Sequence, residues 1–264
     1  MPIYVISHLR LKRPHDSGHQ VMYVGGISGH ISPDEFAITD ASTAPNISHK
    51  NKTYCELTAL HQMAQLHAYP LNDIVGLVHY RRRFVNGSKF IRKLIRITQK
   101  AAWCRGFSNA LLAQFELTQS EAEKLLEQHD IIVPNVAWLK NSIRESYMQS
   151  HIPEDWDKLK HIIQIDFPEY AEAFELLENR KSIHLYNMFI AKASFLQSYA
   201  SWLFAVMDQL EKVIEIKGRD GFQMRVFGFL SERLLNVYLI KHAHLNVLHM
   251  PVVQIYTESV IQGA

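Results

Sequence analysis

The chain has 264 residues, with 28 Lys and Arg against 26 Asp and Glu, a formal net charge of +2, and 47% apolar side chains. That balance supports a sizeable core and excludes a disordered, collagen-like or mucin-like chain. The longest strictly apolar runs, such as Trp202 to Met207, are about six residues, far short of the ~20 that span a bilayer.

The opening segment places its apolar run ahead of its basic cluster, the reverse of a secretory signal. Cys55 and Cys104 lack metal-type spacing and fit a reducing compartment, so a soluble cytoplasmic protein is expected. In chain order, PIYVIS (Pro2 to Ser7) predicts a buried first strand, and VMYVGG a second, ended by Gly25 and Gly26. Ser48 or Asn51 is placed to cap a helix through YCELTALHQMAQLHAY. Its Leu57, Leu60, Met63, Ala64 and Leu66 follow the 3.6-residue period until Pro70 stops it. NDIVGLVHY reads as a strand buried on both faces of a mainly parallel sheet. SKFIRKLIRITQKAAW reads as a basic amphipathic helix, and SEAEKLLEQH as a helix capped by Ser120 with Glu123 three residues on. Then follow the strand DIIVP, a helical stretch from about Ser142 to Leu177, the strand-like HLYNMFIAKA and a helix from about Phe195 to Val213. The mostly buried helix VFGFLSERLLNVYLIKH and the strand-like LNVLHMPVVQIY complete the series. Strands alternating with helices define an α/β fold. With no repeat or long linker, one domain over 1–264 is expected, with a basic helical insertion at about 86–115.

Charge is unevenly spread. From Ile74 to Phe115 there is no acidic residue, while Arg81, Arg82, Arg83, Lys89, Arg92, Lys93, Arg96, Lys100 and Arg105 all fall there. Such a block implies an anionic partner (a phosphate, a lipid head group or nucleic acid) or else a solvated helix face. Within Lys89 to Phe107, Lys89, Arg92, Lys93, Arg96 and Lys100 lie near Phe90, Ile91, Leu94, Ile95, Ile97 and Trp103. This pattern is expected to dock on an anionic, cytoplasmic membrane face; the competing reading packs the same apolar face on the protein's own core.

No GxGxxG, P-loop or HExxH motif occurs, which removes support for dinucleotide, P-loop kinase and metal-hydrolase readings. HYRRR (His79 to Arg83) directly follows an apolar strand, so its side chains emerge at a carboxyl sheet edge, where open α/β sheets bind ligands. Guanidinium groups there suit a phosphate or pyrophosphate; the alternative is a structural arginine cluster paired with acidic helices. NISHKNKTYCEL concentrates amides and hydroxyls at a helix start, which fits either anion binding or ordinary capping. Glu56, one turn in, is a surface residue or a partner of an HYRRR arginine. In RVFGFLSERLL, Glu232 sits in a largely apolar helix, as a general base or as half of an ion pair with Arg225 or Arg233.

The strings IYVISH, NISHKNKTYCELTAL, DIVGLVHYRRRF, HDIIVP, YNMFIAKASF and RVFGFLSERLLNVYL, in this order from Ile3 to Val253, resemble one bacterial polysaccharide-biosynthesis family. That family was first catalogued as a domain of unknown function and is regarded as glycosyltransferases of capsule, exopolysaccharide and O-antigen clusters. The resemblance implies a GT-A-like nucleotide-sugar-binding fold. It also implies transfer from a nucleotide-sugar, with a UDP-sugar favoured and UDP-galactofuranose a candidate, to a growing, often lipid-linked glycan. Family polar positions fall on Asn46, Ser48, Asn51, Tyr54, Glu56 and Thr58, then on Asp73, His79, Tyr80, Arg81 and Arg82. Later ones are Asp130, Tyr147, His151, Asn187, Arg225, Ser231, Glu232 and Arg233.

The donor set is expected to be Asn46, Ser48, Asn51, Tyr54, Glu56, Asp73, His79, Tyr80, Arg81, Arg82, Arg225 and Arg233. Asp73, like Asp130, would be a structural or ribose contact. Tyr147, His151 and Asn187 are expected at the acceptor, and Glu232 as the base of an inverting reaction. The family usually carries a Gly-Asp pair before the NIS string, where this chain has Ala44 and Pro45. GT-A enzymes usually hold a divalent metal with an Asp-x-Asp pair at a strand end. Here the strand ends in His79-Tyr80-Arg81-Arg82, so arginines are expected to offset the diphosphate charge with no obligatory metal or other cofactor. Two rivals use the basic block differently. One is a nucleic-acid-binding protein, against which stands the absence of any recognised RNA or DNA module; the other is a non-catalytic, membrane-associated assembly protein.

Overall fold

The computed structural model describes residues 2–11, 18–26, 37–66, 69–86, 115–254 and 260–261. Its strands are β1 (Ile3–Ser7), β2 (Arg10–Leu11), β3 (Gln20–Tyr23), β4 (Ala37–Thr39), β5 (Ile74–His79), β6 (Arg82–Phe84) and β7 (Ile131–Pro134), then β8 (Ala137–Trp138), β9 (Ser182–Ile183), β10 (Phe189–Lys192), β11 (Val247–Met250), β12 (Val252–Gln254) and β13 (Val260–Ile261). The helices are α1 (Asn51–Tyr54), α2 (Leu57–Gln65), α3 (Gln119–Leu126), α4 (Ile143–Ser150), α5 (Pro153–Asp166), α6 (Ala171–Asn179), α7 (Ala193–Val213) and α8 (Val226–Lys241).

The central sheet has the order β11-β7-β10-β5-β1-β3-β4, with β6 continuing from β5 and pairing with β12. On the main path every pair is parallel except those of β10, which runs antiparallel to both β5 and β7. The expected α/β architecture, a mainly parallel sheet flanked by helices, is therefore present. Both faces of the sheet are covered. On β1, Tyr4 and Ile6 join a core shared with α2, α7 and α8, while Ile3 and Val5 join the core beneath α3. A strand whose alternate residues both face packed layers must be apolar throughout, which is why IYVIS and IVGLVH carry no polar alternation. Gly76 in β5 is fixed by close approach, because a Cβ there would lie 2.8 Å from Ile190 Cγ1 of β10.

Several expected boundaries shift. The helix expected through YCELTALHQMAQLHAY is broken into α1 and α2 at Cys55, which has φ 54°. Neither Ser48 nor Asn51 caps it: Ser48 Oγ donates to Asp40 (2.6 Å), and Asn51 Nδ2 donates to the Cys55 carbonyl (2.8 Å). Thr118 with Glu121, rather than Ser120 with Glu123, forms the capping box of α3. The stretch from Ser142 to Leu177 is three helices, interrupted before Pro153 and Pro168, each of which is tolerated only in a first turn. Pro251 divides β11 from β12. The basic helix expected near Lys89 to Phe107 lies outside the described residues. Its flanks are adjacent: Asn86 N–H donates to the Phe115 carbonyl (2.7 Å), and Val85 bridges Glu116.

Candidate functional site: a cationic cleft at the carboxyl edge of the sheet

Because β1, β3 and β5 are parallel, their carboxyl ends share one edge, and a cleft of about 720 Å³ opens there. His8 and Val24 enter it just after β1 and β3, and His79 to Arg82 enter it from the end of β5. The chain turns at Tyr80 and Arg81 and re-enters the sheet as β6, whose alternation separates Arg82 from Arg83. Arg81 packs on Tyr80, and Arg82 lies 4.1 Å over the Tyr186 ring, a cation–π seat that aims a guanidinium into the cleft. Arg83 turns the other way. It is buried, its Nε lies 2.8 Å from Glu116, and its guanidinium donates to the His79 carbonyl. His19 joins the same carboxylate at 3.2 Å. The structural-cluster alternative therefore holds for Arg83, whereas Arg81 and Arg82 face the cleft.

The facing wall is α8. Between Arg225 and Tyr238 every residue is buried except Arg225, Phe229, Glu232 and Arg233, spaced i, i+4, i+7 and i+8 on one helical stripe. All four line the cleft. Glu232 is fixed at both oxygens: Oε1 accepts the Tyr186 backbone N–H at 2.6 Å, and Oε2 lies 2.9 Å from Arg233. Of the two ion-pair partners expected from spacing, Arg233 is the actual one. Asn236 clamps the chain before Tyr186, accepting the His184 N–H and donating to its carbonyl.

A second carboxylate, Glu56, sits where α1 breaks. Asn187 Nδ2 donates to Glu56 Oε1 at 2.6 Å and to Ser231 Oγ at 2.8 Å. Burial raises the Glu56 pKa, against the pull of Asn187, Arg225 and Arg82. It makes no ion pair with an HYRRR arginine. The three described non-glycine residues with positive φ, Cys55 (54°), Tyr186 (80°) and Asn187 (50°), all hold these two carboxylates in place. Left-handed backbone at such residues costs about 1–3 kcal/mol each and concentrates at functional sites. Close packing supports the kink, since a Cβ at Gly228 of α8 would lie 3.0 Å from Cys55 Sγ.

The cleft lowers the pKa of its histidines. Burial, reinforced by Arg82, pushes the His79 pKa down to about 3. Burial and the nearby Arg233 bring His151 to about 4, and burial with Arg81 and Arg225 lowers His8. Among the described residues, several buried polar atoms in or beside the cleft have no hydrogen-bond partner: His79 Nε2, Tyr80 Oη, Arg82 Nε, Asn187 Oδ1 and Arg233 Nε. Native interiors rarely leave such groups orphaned, so these atoms are free to take a polar group entering the cleft.

Of the expected site residues, Asn51, Glu56, His79, Tyr80, Arg81, Arg82, His151, Arg225, Glu232 and Arg233 line the cleft. Asn187 is buried behind it and orients Glu56. Tyr54 and Tyr147 are corrected to core residues: Tyr54 packs on Phe227, and Tyr147 on His151 and Trp156. Asn46 closes a turn, donating to the Thr43 carbonyl and accepting the Ser48 N–H. Asp73 and Asp130 precede β5 and β7 at the amino ends of parallel strands, the opposite edge from the cleft, and Asp130 has a structural contact, its Oδ2 accepting the Asn246 N–H at 2.8 Å. Sequence reasoning missed Asp40, a buried carboxylate that accepts from both Ser48 and Thr58 at 2.6 Å and so anchors the 46–58 segment. It also missed Phe222 and Phe229, because apolar residues give no signal that separates a cleft wall from a core. The residues present do not fit the Asp-x-Asp metal site. The β5 end is His-Tyr-Arg-Arg, and among the described residues no three His, Cys, Asp or Glu side chains converge to hold an ion.

The sheet, parallel but for one reversed strand, thus carries at its carboxyl edge a cleft lined by four arginines and two carboxylates. The chain belongs to the DUF4422 family, a domain of unknown function whose profile matches residues 2–243. Its structure is similar to that of WbbM, a bifunctional glycosyltransferase solved in its apo form, with a TM-score of 0.81 and 23% identity. The likeness covers 97% of this chain and 45% of WbbM, so the chain spans less than half of that protein. No curated protein matches it in sequence. Among the described residues no helix is long and apolar enough to cross a membrane.

Proposed function

We propose that the protein is a glycosyltransferase that moves a sugar from a nucleotide-sugar, with a UDP-sugar favoured and UDP-galactofuranose a candidate, to a hydroxyl of a growing capsule, exopolysaccharide or O-antigen glycan. The observation that carries this reading is the convergence of Arg81, Arg82, Arg225 and Arg233 on a cleft that also holds two oriented carboxylates. In the proposed step the acceptor hydroxyl attacks the anomeric carbon as its proton passes to Glu232. The bond from that carbon to the diphosphate oxygen breaks, its electron pair leaves on the diphosphate, and the anomeric configuration inverts. Fixed guanidinium groups stabilise the developing charge without reorganisation and so do the electrostatic work that an obligatory metal would do.

Glu232 fits the role of base because its N–H and arginine contacts fix its orientation beside those cations. In this reading the segment from Lys89 to Phe107 brings the enzyme to an anionic membrane carrying a lipid-linked acceptor; co-sedimentation with anionic vesicles, lost in high salt, checks that part. The test of the whole reading is a nucleotide-sugar screen by melting temperature, followed by product analysis with the best donor. UDP and one UDP-sugar are expected to raise the melting temperature; stabilisation by RNA and by no nucleotide would reject the reading.

A further inference from the structure

We propose that Phe222, backed by His151 and Phe229, is the shelf on which an acceptor sugar ring lies. This rests on the glycosyltransferase reading and adds where its acceptor binds. Phe222 is 52% exposed although it borders the cleft. Its ring stacks parallel to His151 (5.7 Å, 13°) and lies 4.9 Å from Phe229, which is itself 4.1 Å from His151. The arrangement is held rigidly. Asp220 Oδ1 accepts the N–H groups of Phe222 (2.9 Å) and Gln223 (2.7 Å), and Gln223 Nε2 donates to the Ser150 carbonyl (3.1 Å). Just upstream, Arg219 grips the buried Asp155 with two bonds of 2.6 and 2.7 Å.

A core needs no exposed ring fastened this firmly. The occupant follows from the surroundings. Phe229 precedes Glu232 by one helical turn, and Arg225 and Arg233 flank it on the same stripe. An apolar face rimmed by charged hydrogen-bonding groups does not match a continuous apolar partner. It matches a sugar, whose ring C–H face packs on the electron-rich face of an aromatic ring while its hydroxyls reach polar neighbours. Phe222 lies in the turn before α8 and Phe229 on α8 one turn from Glu232, whereas Arg81 and Arg82, the diphosphate ligands of the proposed reaction, arise from the strand edge of the same cleft.

The experiment is saturation-transfer NMR with methyl galactopyranoside, methyl glucopyranoside and methyl galactofuranoside as probes, with UDP present, alongside a UDP titration. For wild type, ring C–H signals of at least one glycoside are expected. They should fall about five-fold in Phe222→Ala and persist in Phe222→Trp, with UDP affinity unchanged, as suits the loss of one stacking contact. Equal glycoside signals in wild type and Phe222→Ala would overturn the proposal. So would a Phe222→Ala variant that loses UDP affinity and keeps the glycosides, since the ring would then stack a nucleobase. Wild type that binds UDP and no glycoside overturns the shelf alone; wild type that binds neither overturns the glycosyltransferase reading with it.

Discussion

The two walls of the cleft reach the same chemistry by different local rules. At the strand edge, function changes from one residue to the next: Arg82 faces the cleft and Arg83 is buried against Glu116. On the helix wall, the positions left unburied recur at Arg225, Phe229 and the pair Glu232 and Arg233, with buried residues between them that tie α8 to the core. The strand edge is held by sheet registry and needs no strain. The helix wall is held by a neighbouring segment in left-handed backbone, Tyr186 and Asn187, whose groups grip Glu232 and Glu56. Charge for binding thus comes from regular structure, and oriented carboxylates come from strained structure.

The largest effect that sharpens this contrast is expected at Glu232. Glu232→Gln keeps the shape and removes the basicity, so turnover should fall on the order of 10²–10⁴-fold with UDP affinity preserved. A folded Gln variant with near-normal turnover would make the helix wall a binding surface alone. Next is the pair of adjacent arginines. Arg83→Ala leaves Glu116 buried without its guanidinium, and urea unfolding should register a loss of about 3–5 kcal/mol. If Arg83→Ala instead weakens UDP binding with stability intact, the alternation at the strand edge is wrong.

Gly228→Ala tests the close approach of α8 to the kink. Its new Cβ would press on Cys55 Sγ at 3.0 Å, which predicts a loss of about 1–3 kcal/mol. Adding Cys55→Gly should recover part of it, because glycine removes the sulfur and accepts the positive φ.

A further effect is in pH dependence. His79 has a folded pKa of about 3 against its ordinary 6.5, so the unfolded chain binds the proton first. Its contribution to stability is complete above about pH 6.5 and is lost as the pH falls toward 3. Burial depresses His151 and His184 to about 4 as well, so His79→Asn should flatten the acid fall of the melting temperature without abolishing it. An unchanged acid slope would place His79 in a wetter setting than the cleft floor.

What could be read from the sequence follows the same division. Arg81 and Arg82 were legible because an apolar run followed abruptly by HYRR marks a strand end, and strand ends face ligands in open sheets. Glu232 and Arg233 were legible as charges in an apolar helix. The kink at Cys55 was not, since nothing in a cysteine announces positive φ. Asp40 was invisible for another reason: the hydroxyls it collects are 8 and 18 residues away in the chain. Between the structural and ribose roles open to Asp73 and Asp130 the sequence could not choose, because a polar residue beside a strand does not say which sheet edge it occupies. Phe222 was missed because exposure is a tertiary property.

The central claim is that a nucleoside diphosphate binds this cleft through its arginines. Calorimetric titration of wild type and Arg82→Ala with UDP in the presence of EDTA tests it directly. Wild type is expected to bind, and Arg82→Ala to bind about 10–100-fold more weakly at unchanged stability, the loss of one charge-assisted contact. Binding that vanishes in EDTA and returns with manganese, or that ignores the Arg82 substitution, would contradict the account.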